Sequence, residues 1–128
     1  MNYITNMLIM HNQFKVFHWQ TQRKPGSFAQ HEAFGKAYDD LTDLIDSFVE
    51  IYQGKNGVII ANNGFNVTLH NLGNDPEEFV DEFVDYLSNV LPQGLEESDT
   101  DLLNIRDEMM AVLNQTKYRL NMSRPRLW

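Results

Sequence analysis

Cysteine is absent from the 128-residue chain. That excludes a disulfide framework and any thiolate metal site. Long apolar runs are absent too. The longest, such as Val58-Ile59-Ile60-Ala61, fall far short of the roughly 20 residues that span a bilayer. Residues 1–6 show no basic segment followed by an apolar stretch, so the sequence predicts no signal peptide, and a cytoplasmic location is the expectation. Basic residues are scarce: 10 Lys and Arg face 18 Asp and Glu, for a net charge of −8. Such a surface repels a phosphate backbone, which disfavours nucleic-acid binding. The few basic residues gather at Arg23-Lys24 and at Arg119, Arg124 and Arg126, and read as ordinary solvated ends. No internal repeat or low-complexity tract is visible.

What is present points to a folded helical protein. Apolar residues make up 42% of the chain, with 8 Phe, 5 Tyr and 6 Met, which supports one domain over residues 1–128. Four segments carry helical periodicity, at about residues 2–20, 28–53, 76–91 and 99–121. In the first, Ile4, Met7, His11, Phe14 and His18 form a stripe, and Arg23-Lys24-Pro25-Gly26 breaks it. Ser27 with Gln30 has the form of a capping box for the second helix. Phe34, Tyr38, Leu41, Ile45, Phe48 and Tyr52 form its apolar face, and Gly54 stands where a stop is expected. Asp75 as cap, Pro76 at the first position and Glu77-Glu78 behind it open the third helix. Its inner face is Phe79, Val80, Phe83, Val84, Leu87 and Leu91. Ser98 with Asp101 opens the fourth, where Leu102, Ile105, Met109, Val112 and Leu113 point inward.

The connection at residues 55–74 is too apolar for a free linker, holding Val58, Ile59, Ile60, Phe65, Val67 and Leu69. It is expected to pack along the bundle. A helix of about 20 residues is roughly 30 Å long, and nine or ten extended residues cross that distance. The loop can therefore return the chain to its starting end. The fold class expected is all-α, a ferritin-like four-helix bundle with one long middle crossover. The alternative is an up-down bundle with an ornamented loop.

On helix two, Asp39, Asp43, Asp46 and Glu50 form an acidic stripe opposite the apolar face. Two readings stand. An acidic stripe of this kind is usually a solvated face. Carboxylates beside imidazoles also suit iron, zinc or manganese. His18 closes helix one and His31 opens helix two, and each is open to a structural or a ligand role. His11 takes the structural role first, and His70 has no motif around it. An inward di-iron site needs Glu-x-x-His on two helices. Leu8, Lys15, Phe28 and Val67 precede the four histidines instead, so a metal held by the stripe needs further ligands from another subunit.

Phe17-His18-Trp19, Pro25-Gly26, the run Phe28-Ala29-Gln30-His31-Glu32-Ala33-Phe34, then Tyr38, Asp46 and Glu50 together resemble the Dps-type miniferritins over about residues 8–54. The resemblance implies a ferroxidase centre shared across a two-fold interface. His18 and His31 would come from one chain, Asp46 and Glu50 from its neighbour, and Trp19 would pack beside the centre. It implies iron as the metal, a hollow homo-oligomer, a dodecamer, and storage of ferric mineral. The sequence departs from the family pattern in four ways, one being that helix one and the chain as a whole are short. Gly35 stands where an acidic ligand is usual, four residues after the second histidine, with Asp39 one turn further along. The inter-histidine loop is one residue longer. The lysine-rich DNA-holding tail is absent. The competing expectation is a catalytically inactive ferritin-like structural subunit of a larger assembly, such as a virion component, with the Arg-Pro-Arg-Leu-Trp ending and Trp128 as an interface anchor.

Overall fold

The computed structural model describes residues 2–21 and 27–122, which contain four α-helices and no strand. They are α1 (Tyr3–Gln20), α2 (Phe28–Asn56), α3 (Glu77–Asp85) and α4 (Thr100–Asn121). α3 is prolonged by a π turn, Tyr86–Val90, and a 3₁₀ turn, Leu91–Gly94. The Arg23-Lys24-Pro25-Gly26 break and the ending that holds Arg124, Arg126 and Trp128 lie outside the described residues.

Side-chain pairs fix the helix directions. Tyr3, at the start of α1, meets Phe48 and Tyr52 near the end of α2 edge-on, at 5.5 and 5.4 Å between ring centroids. At the other end Phe17 meets Phe34 at 5.2 Å, so α1 and α2 are antiparallel. α3 also runs against α1. Phe79 packs on Phe17 and Phe83 on Phe14, while the Tyr3 hydroxyl donates to the Leu91 carbonyl at 2.8 Å. α2 and α3 therefore point the same way, joined by the connection that starts at Gly57. α4 opposes both. Lys55 reaches Asp99 and Asp101 at its start, and its Lys117 reaches back to Asp81 in α3.

The core is aromatic. Phe14, Phe17, Phe34 and Phe48 are fully buried, with Met7, Met10, Leu41, Leu87, Leu102, Met109 and Leu113 around them. Each such side chain contributes about 1.5–3 kcal/mol by leaving water. The buried face of α1 is Tyr3, Ile4, Met7, Met10, Gln13, Phe14 and Phe17, which includes Ile4, Met7 and Phe14 of the expected stripe. It is rotated from the stripe read in the sequence, so that His11 and His18 lie on its edge, half-buried. Arg119 is likewise half-buried rather than a solvated end.

Several local expectations are corrected. Gly54 stays helical, and α2 runs on to Asn56, because the left-handed turn that ends it falls at Gly57 (φ 65°), whose N–H donates to the Gln53 carbonyl at 2.9 Å. A glycine inside a helix costs only about 1 kcal/mol; the stop is set where a positive φ is needed. Ser27 makes no side-chain cap on α2; its hydroxyl donates to the Thr21 carbonyl. Asp75 does not cap α3, whose preceding residue is Pro76, and Asp99 rather than Ser98 precedes α4.

The crossover differs most. Val58, Ile59, Phe65 and Val67 are exposed; Ile60 and Leu72 are the partly buried residues that pack on the core. Three glutamine amides secure the backbone instead. Gln53 Oε1 accepts from the Ile60 and Ala61 N–H groups. Gln13, itself buried, clasps His70 through both main-chain groups at 2.8 Å each. Gln20 accepts from the Leu72 N–H at 2.7 Å and donates to Asn71. Gln13 and Gln20 are one heptad apart on the α1 face that the loop crosses.

Candidate metal half-site

The antiparallel pairing of α1 and α2 puts the end of one helix beside the start of the other. This brings His18 and His31 together, and their rings stack at 3.9 Å between centroids and 20° between planes. Hydrogen bonds fix both tautomers. His18 Nδ1 lies 2.8 Å from the His31 carbonyl oxygen, which only accepts, so Nδ1 carries the proton. His31 Nδ1 lies 3.1 Å from the His18 carbonyl and 3.1 Å from Thr21 Oγ1. The Thr21 hydroxyl spends its own proton on the His18 carbonyl at 2.8 Å. His31 Nδ1 must therefore be the donor. In a neutral ring with Nδ1–H the Nε2 atom carries the lone pair, and an N–H bound to main-chain oxygen on the far side is the arrangement that orients metal-ligating histidines.

Gly35, one turn after His31, makes the pair possible. A Cβ there would stand 2.7 Å from His18 Cε1 and 2.8 Å from its Nδ1. The imidazole fills the space that any side chain at position 35 would need. Position 35 is thus the floor on which His18 rests. Trp19, next to His18 in the chain, and Phe28, the first residue of α2, are 59% and 73% exposed.

The acids are elsewhere. Asp39, Asp43, Asp46 and Glu50 are all exposed, in keeping with a stripe opposite the core. Asp46 lies about 22 Å and Glu50 about 28 Å from His31 along the α2 axis. Asp46 and Glu50 border a groove of about 250 Å³ against α1, floored by Ile4, Met7, Leu8, Ile45 and Val49. Asp39 and Asp43 instead border a groove of about 410 Å³ against α4, with Asp40 and Glu108. Asp39 therefore borders a different groove from Asp46 and Glu50. Among the described residues no three His, Asp or Glu side chains converge on one point.

The other histidines are structural. His11 Nε2 donates to Thr42 Oγ1 at 2.8 Å, since the Thr42 proton is given to the Tyr38 carbonyl, and its ring stands edge-on to Tyr38. Burial, helped by nearby Lys15, pushes the His11 imidazole below its ordinary pKa. His70 is held by Gln13 through its main chain and leans on Phe79. Sequence reasoning missed Thr21, whose hydroxyl completes the His31 tautomer. Its position between the two histidines, just beyond the first helix, was the available signal.

No described helix is long and apolar enough to cross a membrane. The profile of a family described as a family of unknown function, DUF5856, matches residues 18–120. No curated protein and no solved structure matches the chain.

Proposed function

This chain belongs to the DUF5856 family, and we propose that it acts as a miniferritin-like iron-binding protein, with a ferroxidase site completed between two copies. The observation that carries the reading is the His18–His31 pair, with both Nδ1 atoms tied to main-chain oxygen and neither Nε2 hydrogen-bonded to a described residue. The two rings lie in near-parallel planes, so each offers one nitrogen donor and the pair does not chelate a single ion. The missing ligands are oxygen donors. Asp46 and Glu50 supply them from the opposite end of the same α1–α2 face. Their separation of about 22 Å or more puts them out of reach within one chain. A two-fold axis across that face would bring the histidines of each copy to the acids of the other, twice.

Imidazole nitrogen with carboxylate oxygen suits a metal that cycles between Fe(II) and Fe(III). Fe(II) is the substrate: it gives up one electron to oxygen or peroxide and leaves as ferric mineral. The net charge of −8 favours cation entry. Parallel α2 and α3, joined by the crossover, support a ferritin-like topology. A closed shell, a dodecamer by the family resemblance, would retain the mineral.

The second reading, a metal-free structural subunit of a larger assembly such as a virion, is favoured by Gly35, where the His18 ring occupies the place of a third ligand. One experiment separates the two. Native mass and metal content are measured on one preparation, and Fe(II) oxidation is followed by absorbance for the native chain and for His31→Ala. A metal-loaded closed oligomer whose oxidation rate collapses in His31→Ala supports the first reading. Equal oxidation rates in the two proteins eliminate it.

A further inference from the structure

The chain contains two Asn-Gly pairs, Asn56-Gly57 and Asn63-Gly64. Asn-Gly is the dipeptide most prone to intramolecular attack of a main-chain nitrogen on a side-chain amide, because glycine puts no Cβ in the way. The fold treats the two pairs in opposite fashion. At Asn56-Gly57 both reacting partners are engaged: the Gly57 N–H donates to the Gln53 carbonyl at 2.9 Å as the cap of α2, and the Asn56 side-chain amide donates to the Tyr52 carbonyl at 2.9 Å. At Asn63-Gly64 the main chain belongs to no helix or ladder. Both residues are exposed, both have positive φ, 65° and 72°, and nothing lies within 4 Å of the place of a Gly64 Cβ. Among the described residues the Asn63 amide hydrogen-bonds only to the neighbouring Asn62 side chain, at 3.1 Å, and none accepts from the Gly64 N–H.

We propose that Asn63 is a site of spontaneous deamidation, selected by the fold over Asn56. The deprotonated Gly64 nitrogen attacks Asn63 Cγ, the side-chain nitrogen leaves as ammonia, and a five-membered succinimide forms. Water then opens the ring at either carbonyl and leaves aspartate or isoaspartate. The net change consumes one water, releases one ammonia and involves no oxidant. It adds a negative charge at an open pocket of about 450 Å³ lined by Asn2, Tyr3, Tyr52, Ile60, Asn63 and Phe65. The isoaspartate product also lengthens the crossover backbone by one methylene, in a segment whose placement depends on main-chain hydrogen bonds.

The full chain is incubated at mildly alkaline pH, folded and separately in urea, and peptides holding residues 56 and 63 are followed by mass spectrometry and by isoaspartate detection. In the folded protein Asn63 converts about tenfold faster than Asn56, the factor set by releasing the Gly57 hydrogen bond. In urea the two rates approach each other, because the sequence pairs are alike. Equal rates in the folded protein, faster conversion at Asn56, or no conversion of folded Asn63 while the urea sample converts would each overturn the proposal.

Discussion

Replacing Gly35 by alanine tests the close approach that builds the histidine pair, and the sign of the stability change decides it. At an ordinary helical position, glycine to alanine stabilises by up to about 1 kcal/mol. Gly54 is such a position: it lies in α2, and nothing stands within 4 Å of its added Cβ. At Gly35 the new Cβ meets the His18 ring at 2.7 and 2.8 Å, against an optimum of about 3.5–4.0 Å for carbon contacts. The ring cannot yield freely, since it is bound to the His31 carbonyl and stacked on the His31 imidazole. Losing that hydrogen bond costs about 0.5–1.5 kcal/mol, and overpacking about 1–3 kcal/mol more. After the helical gain is subtracted, Gly35→Ala destabilises by roughly 1–3 kcal/mol. In a chain of this size that lowers Tm by roughly 4–12 °C. Gly54→Ala raises it by a few degrees. Thermal unfolding followed by circular dichroism measures both. If Gly35→Ala stabilises as Gly54→Ala does, His18 does not rest on Gly35, and the half-site geometry is refuted.

Gln13→Leu keeps the side chain's bulk but removes both contacts to His70. Two ordinary hydrogen bonds are worth about 1–3 kcal/mol together, so Tm falls by several degrees, and hydrogen exchange at the His70 amide speeds up most. An unchanged exchange rate there would disprove the clasp. Lys55 carries part of the acid response, below the range in which His11 responds. Its hydrogen bonds to Asp99 and Asp101 raise its own pKa and lower both carboxyl pKa values. A depressed carboxyl contributes stability above its unfolded value, near 4, and loses it as pH falls through the lower folded value. The native protein therefore weakens as pH drops below about 4, and Lys55→Met flattens that dependence. Parallel pH-stability curves for the two proteins would contradict the assignment.

The helices were readable because burial and periodicity agree in them. Phe34, Leu41 and Phe48 in α2 and Leu102, Met109 and Leu113 in α4 are buried at the spacing the sequence shows. α1 was misread by a fraction of a turn. Its polar Gln13 is buried and its histidines are not, because Gln13 turns inward to serve the loop. No polarity pattern carries that information, since the partner lies 57 residues away. The same holds for the crossover. Its apolar residues suggested packing, but its fixation comes from side chains on two other elements. At the half-site the two histidines and the acidic stripe could be named from sequence. The stacking of the rings, the role of Thr21 and the reason for Gly35 could not, because they depend on how two helix ends meet.

The three glutamines that hold the crossover are amides, and amides neither gain nor lose a proton at any pH a cell reaches. The fastening of this long strap to α1 and α2 is therefore deaf to acidity. The Lys55 junction, where α2 hands over to α4, hears it. Acid therefore loosens the His11 seam between α1 and α2 and then that junction, while the glutamine fastenings of the strap do not respond.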